Sequence, residues 1–299
     1  MQNVLHHDGV RQTRPQAVIA LHCSGADANE WSALKEALGQ KYTVLAPEHF
    51  GCERVGAWPG QRAFTIDDEA ERTLALIDGL DGEVHLVGHS YGGGVALHVA
   101  LQRPSRIASL SLYEPSAFHL LPEIGNAGRR ASAEITRVAK ETADRILIGD
   151  CRGGAAGFID YWNGAGAWNA MSLRVQAALT RWAPKIPLDF RALMQVTAPL
   201  NAYAALMCPA LLLRGEFAPA PTRVIAEALA DILPEGRLEV VSGCGHMGPL
   251  THAELVIPSI VSHIEQAATR GLPQFGGAAP TLGQRDGISV APTAAGISL

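Results

Sequence analysis

The chain has 299 residues, of which 47% are hydrophobic and 18% are charged, and its formal net charge at pH 7 is −5. This composition predicts a soluble globular protein that buries a large core, either as one domain or as one domain with an insertion. Because Lys and Arg form no cluster or stripe, binding to a phosphate backbone is disfavoured and no nucleic-acid partner is expected.

The sequence carries no sign of export, membrane insertion or metal binding. Its N-terminal region lacks a basic start followed by an apolar stretch, and no run of about 18 apolar residues occurs, so neither a secretory signal nor a membrane span is predicted. The five cysteines are scattered without a C-x-x-C spacing. They predict reduced thiols and a cytoplasmic location, with no zinc or redox motif.

Short apolar runs alternate with helical patterns along the chain. The apolar runs predict buried strands at 17–22, 42–48, 83–88, 107–113, 209–215 and 237–243. The helical patterns lie at 30–39, 67–80, 91–102, 222–233 and 252–268. This alternation predicts an α/β fold with a mostly parallel central sheet and helices on both faces. Functional sites in such sheets form beyond the carboxyl ends of the strands.

The alternation is interrupted between residues 118 and 206. This segment shows helical patterns and many aromatic residues but no clear strand, which predicts a helical cap over the sheet. Residues 1–117 and 207–268 are then the α/β core. Residues 269–299 are rich in Gly, Ala, Pro and Thr without a period, which predicts an irregular C-terminal tail.

The sequence Gly88-His89-Ser90-Tyr91-Gly92 joins a predicted strand to a predicted helix. A tight turn at this junction would push the Ser90 hydroxyl outward, and it needs glycine two residues before and two residues after the serine. The amides at the start of the following helix would favour developing negative charge. Ser90 is therefore the predicted nucleophile, and a helix-capping serine in an ordinary turn is the alternative.

A serine hydroxyl needs a base and its reaction needs oxyanion donors. His246, in a glycine-rich loop after the last predicted strand, is the predicted base. The backbone N–H of Tyr91 and that of Ser24, which follows the first strand, are the predicted oxyanion donors. His89, next to the serine, is expected to point into the structure instead.

Five segments, "LHCSG", "GHSYGGG", "LYEPSAF", "LLLRGE" and "GCGHMGPLTH", occur in this order between about residues 17 and 265. With these segments the chain resembles an α/β-hydrolase of the esterase and lipase type. The resemblance implies the α/β-hydrolase fold, and the predicted cap is its least matched part. None of the segments indicates a particular substrate.

The third catalytic group is where the sequence departs from this family. Many members carry an aspartate a few residues after the "LLLRGE" strand, where this chain has Ala218. The imidazole still needs an anionic partner to fix its tautomer. Glu114 is the favoured acid because it follows the strand expected beside the serine strand and keeps the order serine, acid, histidine. Glu216 is the alternative, and a dyad without an acid is a third possibility.

The sequence thus predicts a serine hydrolase that transfers an acyl group to water, with Ser90, His246 and Glu114 as its triad. The expected substrate is a small or medium hydrophobic ester, and no metal ion or organic cofactor is implied. A carbon–carbon bond hydrolase or a thioesterase would use the same groups. A hydrolase-fold protein that only binds a ligand or partner is the alternative outside catalysis.

Overall fold

Six parallel strands form the central sheet of the computed structural model, which describes residues 16–60 and 62–270. The strands are β1 (Gln16–Leu21), β2 (Tyr42–Leu45), β3 (Val84–His89), β4 (Ile107–Tyr113), β5 (Ala210–Gly215) and β6 (Gly236–Val241). Their spatial order is β2-β1-β3-β4-β5-β6, and every neighbouring pair is parallel. The predicted α/β fold class with a parallel sheet is confirmed.

Helices connect the strands and cover the sheet. The α-helices of the described residues are α1 (Ser32–Leu38), α2 (Ile66–Gly79), α3 (Tyr91–Gln102), α4 (Gly125–Leu147), α5 (Cys151–Asn163), α6 (Ala167–Ala170), α7 (Leu173–Trp182), α8 (Ile186–Met194), α9 (Ala220–Ile232), α10 (Gly248–Thr251) and α11 (Ala253–Arg270). None of the helices in this part of the chain combines the length and hydrophobicity needed to cross a bilayer.

Alternate residues of the strands enter two separate cores. On β1, Ile19 and Leu21 belong to the core that includes residues of α2, α3 and α9, whereas Val18 and Ala20 belong to the core that includes residues of α1 and α11. All four side chains are fully buried. Both faces of the sheet are therefore covered by helices, which explains why the strands are continuously apolar in sequence.

The strand order reverses direction between β1 and β3. The chain passes from β1 outward to β2, returns to β3 on the other side of β1, and then continues to β6. The connections that follow β1 and β3 diverge at this point and leave a crevice at the carboxyl ends of the strands. The segment at 22–25 and the turn at Ser90 both border this crevice.

The helices α4 to α8 lie between β4 and β5, with 3-10 turns before α4, between α7 and α8, and after α8, and the described chain has no strand there. We call them the α4–α8 insertion. The division of the chain into a core and a cap at residues 118 and 206 stays a prediction.

Most predicted boundaries differ from the structure by one to three residues. β2 ends at Leu45 rather than at residue 48, and Pro47 lacks the N–H that a continuing strand would donate. The last helix begins at Ala253 because His252 has a non-helical φ of −142°. That helix continues to Arg270, so two residues of the predicted tail are helical. The rest of the tail, residues 271–299, lies outside the described residues.

Helix α3 approaches β1 so closely that a side chain at Gly92 has no room. A Cβ atom there would lie 2.5 Å from the carbonyl oxygen of His22. At Gly88, a Cβ atom would lie 2.7 Å from the carbonyl oxygen of Gly92. Both contacts are with backbone atoms, which cannot rotate away as side chains do. The two glycines are therefore required by packing between the strand and the helix.

Gly92→Ala is expected to lower the free energy of unfolding by about 3 kcal/mol, because the new methyl group overpacks the backbone of β1. Gly157 on α5 provides the matched control, since a Cβ there meets nothing within 4 Å. Gly157→Ala should raise the free energy of unfolding by about 0.5–1 kcal/mol. Urea denaturation measures both changes, and equal effects of the two substitutions would contradict this account of the packing.

Candidate active site

Ser90 occupies the sharp turn between β3 and α3. Its backbone has a φ of 52° and a ψ of −116°, a strained conformation for a residue with a side chain. The Ser90 N–H donates to the carbonyl oxygen of Tyr113 at 3.0 Å, and the Ser116 N–H donates to the carbonyl oxygen of Ser90 at 2.9 Å. These hydrogen bonds to the segment around the end of β4 hold the strained turn in place.

His246 connects Ser90 to Glu114. Its Nδ1 lies 2.7 Å from Oε2 of Glu114, and its Nε2 lies 2.9 Å from Oγ of Ser90. A carboxylate can only accept, so Nδ1 carries the hydrogen and Nε2 is left to accept the hydroxyl hydrogen of Ser90. All three residues are buried. This is the arrangement in which an imidazole can remove a proton from a serine hydroxyl.

Glu114 lies at the end of β4, held from several sides. Besides His246, its carboxylate accepts from the backbone N–H of Gly215 at 2.9 Å and from the Thr222 hydroxyl at 2.8 Å. Burial raises the pKa of the Glu114 carboxyl, but the hydrogen bond and charge of His246 and these two donors outweigh burial. The pKa is lowered overall, so Glu114 is a carboxylate at neutral pH.

Glu216, the alternative acid, is exposed and lies away from the imidazole. Its Oε2 accepts from the backbone N–H of Gly243 at 2.9 Å. Glu216 therefore ties down the start of the loop that carries His246. The structure brings Glu114, and not Glu216, into contact with the histidine.

Two amides lie free beside the serine. Ser24 and Tyr91 both line the cavity next to Ser90, and within residues 16–60 and 62–270 neither backbone N–H donates to another protein group. The Ser24 hydroxyl donates to Oδ2 of Asp189 at 2.7 Å, which fixes the loop after β1 against α8. Both sequence-predicted oxyanion residues thus lie at the cavity, at the ends of β1 and β3.

The cavity over Ser90 is small and lined mostly by apolar side chains. Its polar lining residues are Ser24, Ser90, Tyr91, Ser116 and Asp189. Its apolar walls are Phe118, Phe158, Trp162, Ile186, Phe190 and Leu193. Most of the apolar wall comes from α5 and α8, so the α4–α8 insertion closes the cavity opposite the strand ends.

Trp162 of α5 stacks on the imidazole of His246. The two ring centroids are 4.2 Å apart, and the planes meet at 28°. Burial lowers the pKa of His246, the Glu114 carboxylate raises it, and the nearby His89 lowers it again. The pKa is lowered overall from its ordinary value of 6.5, so the imidazole is neutral at pH 7 and can act as a base.

A buried charged network lies beside Ser24 and Tyr91. Lys185 contacts Oε2 of Glu69 at 2.8 Å and also binds Asp189. The Tyr91 hydroxyl donates to Oε2 of Glu69 at 2.8 Å. Burial lowers the pKa of Lys185, but the two carboxylates outweigh burial and raise it. The network joins the insertion to the core and places a cation between the two carboxylates.

Three residues of this site were not predicted as site residues from the sequence. Ser116 has its hydroxyl 3.2 Å from that of Ser90, and its position two residues after Glu114 was the available signal. Trp162 is one of the many aromatic residues of the 118–206 segment, and nothing in the sequence distinguishes it from the others. Asp189 had no signal, since its role depends on how α8 folds back over the loop after β1.

Comparisons with known proteins agree with this architecture. A model of the alpha/beta hydrolase family matches residues 18–258, well over half of the chain. The lipase LipV of Mycobacterium tuberculosis is 34% identical over 113 residues, which cover 38% of this chain and 42% of the lipase. The dihydrolipoyllysine-residue acetyltransferase component of the acetoin cleaving system of Pseudomonas putida is 41% identical over 96 residues, covering 32% of this chain and 25% of that protein. The chain therefore spans less than half the length of these curated relatives.

Solved structures show the same fold at low sequence identity. A thermophilic esterase from Thermogutta terrifontis superposes with a TM-score of 0.62 at 24% identity, over 84% of this chain and 90% of the esterase. The enol-lactonase from Burkholderia xenovorans gives a TM-score of 0.64 at 17% identity, over 86% of this chain and 94% of the lactonase. With the family model and the fold in agreement, the chain belongs to the alpha/beta hydrolase family.

Proposed function

We propose that this alpha/beta hydrolase cleaves a carboxylic ester through an acyl-enzyme, with Ser90 as nucleophile, His246 as base and Glu114 as the acid that orients the base. The observation that carries the proposal is the continuous chain of hydrogen bonds from Ser90 through His246 to Glu114. The lipase and esterase among the similar proteins support an ester substrate. The free backbone N–H groups of Ser24 and Tyr91 beside Ser90 supply the hydrogen-bond donors that the oxyanion requires.

In the first half of the reaction, Ser90 Oγ forms a bond to the carbonyl carbon of the ester. His246 Nε2 takes the hydroxyl proton, and the negative charge of Glu114 stabilises the resulting imidazolium. The carbonyl oxygen becomes an oxyanion that accepts from the backbone N–H groups of Ser24 and Tyr91. The carbon–oxygen bond to the alcohol then breaks, and the alcohol leaves with the proton from Nε2.

In the second half, water attacks the carbonyl carbon of the acyl-enzyme. His246 Nε2 takes one proton from the water, and the same two amides hold the second oxyanion. When the bond to Ser90 Oγ breaks, the proton returns to that oxygen and the carboxylic acid is released. Protons and electrons balance without a metal ion or an organic cofactor.

The walls of the cavity suggest the size and polarity of the acyl group. The cavity beside Ser90 is narrow, because side chains of α5 and α8 close it opposite the strand ends. The phenyl and indole rings of Phe118, Phe158 and Trp162 favour an apolar group. A small hydrophobic ester is the proposed substrate class.

The function is tested with a fluorophosphonate probe and with p-nitrophenyl esters of increasing acyl length. The probe should label Ser90 alone, and kcat/KM should be highest for the short acyl chains that the cavity admits. Ser90→Ala should abolish both labelling and hydrolysis. Ser111→Ala is the matched control, since Ser111 is a buried serine of the neighbouring strand β4 and lies outside the site; this variant should keep both.

Absence of labelling in the wild-type protein would contradict a serine hydrolase and favour a protein that only binds a ligand. If Ser90 is labelled but no ester is hydrolysed, the proposed substrate changes from an ester to another acyl compound. Thioesters and carbon–carbon bonds next to a ketone are then the panel to measure, because the same groups would cleave them.

Glu114→Gln should lower kcat by about 10⁴-fold, because an amide no longer fixes the tautomer of His246 or stabilises its protonated form. Glu216→Gln should leave kcat within a few-fold of the wild-type value, because Glu216 contacts the Gly243 amide and not the imidazole. Steady-state kinetics on the best ester compares the two variants. Similar losses in both would remove Glu114 from its proposed role.

A further inference from the structure

His89 precedes the nucleophile and is completely buried beneath the site. Its Nδ1 lies 2.7 Å from Oε1 of Glu30, and its Nε2 lies 2.8 Å from the backbone carbonyl oxygen of His246. A carbonyl oxygen and a carboxylate both accept hydrogen bonds and cannot donate. The His246 carbonyl therefore accepts from Nε2 of His89. With Glu30 as a carboxylate, Nδ1 of His89 also carries hydrogen, and the two side chains form an ion pair.

Glu30 carries the negative charge that pairs with His89, and it also contacts the loop after β1. Its Oε2 accepts from the backbone N–H of Cys23 at 2.9 Å, directly before the oxyanion residue Ser24. Burial raises the pKa of the Glu30 carboxyl, but the charge and hydrogen bond of His89 and the Cys23 amide outweigh burial and lower it overall. Glu30 is therefore a carboxylate, fully paired inside the protein.

We propose that the buried ion pair of His89 and Glu30 positions the catalytic groups, by joining the serine turn, the oxyanion loop and the backbone of His246. The proposal rests on the proposed function, because it assigns roles relative to that catalytic machinery. His89 and Glu30 are positioning residues, since neither lines the cavity. Without the pair, the His246 carbonyl and the Cys23 amide would lose their partners.

The pair also acts on the charge of the catalytic imidazole. The ring centroids of His89 and His246 are 5.2 Å apart, so the His89 cation opposes a second positive charge on His246. Besides Glu30, the titratable groups that face His89 are the thiol of Cys23 and the ring of Tyr113, whose centroid is 5.5 Å away. Burial raises the pKa of Cys23 and that of Tyr113, so both are neutral.

A metal ion is the competing explanation for this cluster. The ligand atoms of Cys23, Glu30 and His89 lie within 4.8 Å of one another. Both oxygens of Glu30 and both ring nitrogens of His89 are already used in hydrogen bonds. Only the Cys23 thiol remains, so the geometry favours an ion pair over a metal site.

Glu30→Gln separates the charges from the hydrogen bonds. A neutral His89 can still donate from Nε2 to the His246 carbonyl and accept at Nδ1 from the new amide, while the amide oxygen accepts from Cys23. The His89 cation lies closer to His246 than the Glu30 anion and has the larger effect on it. Removing both charges should therefore raise the pKa of His246 and move the acid limb of kcat/KM to higher pH. At the plateau, kcat should stay within a few-fold.

His89→Gln should lower kcat itself. Glutamine has polar atoms only at its tip, so it cannot contact Glu30 and the His246 carbonyl in the way that the two ring nitrogens do. The His246 imidazole is then displaced, and kcat at the plateau should fall by about 100-fold, with KM within a few-fold. His85 provides the matched control: it is equally buried on the same strand and contacts Ser109 and Gln16, outside the site. His85→Gln should leave kcat and the acid limb unchanged.

NMR of the wild-type protein with ¹⁵N-labelled histidine tests the pair independently of activity and of variant folding. Both ring nitrogens of His89 should be protonated over the pH range in which His246 titrates. A His89 with one unprotonated nitrogen would overturn the proposal, as would variants of His89 and Glu30 that match the wild type in kcat and acid limb. Failure of the proposed function appears differently, as absence of fluorophosphonate labelling at Ser90 in the wild type.

Discussion

The hydrogen bond between the Ser90 hydroxyl and the His246 imidazole depends on a loop that crosses two strands. Ser90 follows β3, whereas His246 follows β6, and both β4 and β5 lie between them in the sheet. The loop is fixed along its length by side chains from the rest of the fold. Glu216 accepts from the Gly243 amide, the Tyr113 hydroxyl donates to the Gly245 carbonyl at 2.7 Å, and His89 contacts the His246 carbonyl. The imidazole therefore reaches Ser90 because the parallel sheet brings the ends of these strands to one edge.

Burial of the site affects the pKa of its imidazole and also costs free energy, because charged groups are removed from water. The His246 imidazole lies against the Trp162 ring and is shielded from water. This burial lowers the pKa of His246 more than the Glu114 carboxylate raises it. Charges taken out of water must be paired to be tolerated. Glu30 with His89, and Lys185 with Glu69 and Asp189, meet this requirement on either side of the loop after β1. The oxyanion loop is thus held between two buried ionic groups.

Much of the fold was predictable because its signals are local. A continuous apolar run indicates a strand buried on both faces, and glycines at 88 and 92 indicate the close approach at the serine turn. Glu114 is favoured from the sequence because its strand is expected beside β3, with its carboxyl end facing the site, and because it keeps the order serine, acid, histidine. The structure places its carboxylate 2.7 Å from Nδ1 of His246.

The remaining features depend on contacts between distant parts of the chain. Nothing in the sequence around Trp162 indicates that α5 will pack against the loop of His246, which lies 84 residues further along the chain. This contact depends on how the whole α4–α8 insertion folds over the site. In the sequence, Lys185 and Asp189 have the spacing of an exposed ion pair one helical turn apart. In the structure both are buried, and Glu69 of α2 completes the network by contacting Lys185. His89 was expected to point inward, but its partner Glu30 is 59 residues away and carried no signal.

The central claim is that Ser90, His246 and the two free amides form one catalytic unit. The most direct test is a crystal structure of the protein after reaction with a small phosphonate ester. The account predicts phosphorus bonded to Ser90 Oγ, a phosphonyl oxygen within hydrogen-bonding distance of the Ser24 and Tyr91 amides, and His246 still in contact with Glu114. A phosphonyl oxygen that points away from both amides, or a modification at another residue, would contradict it.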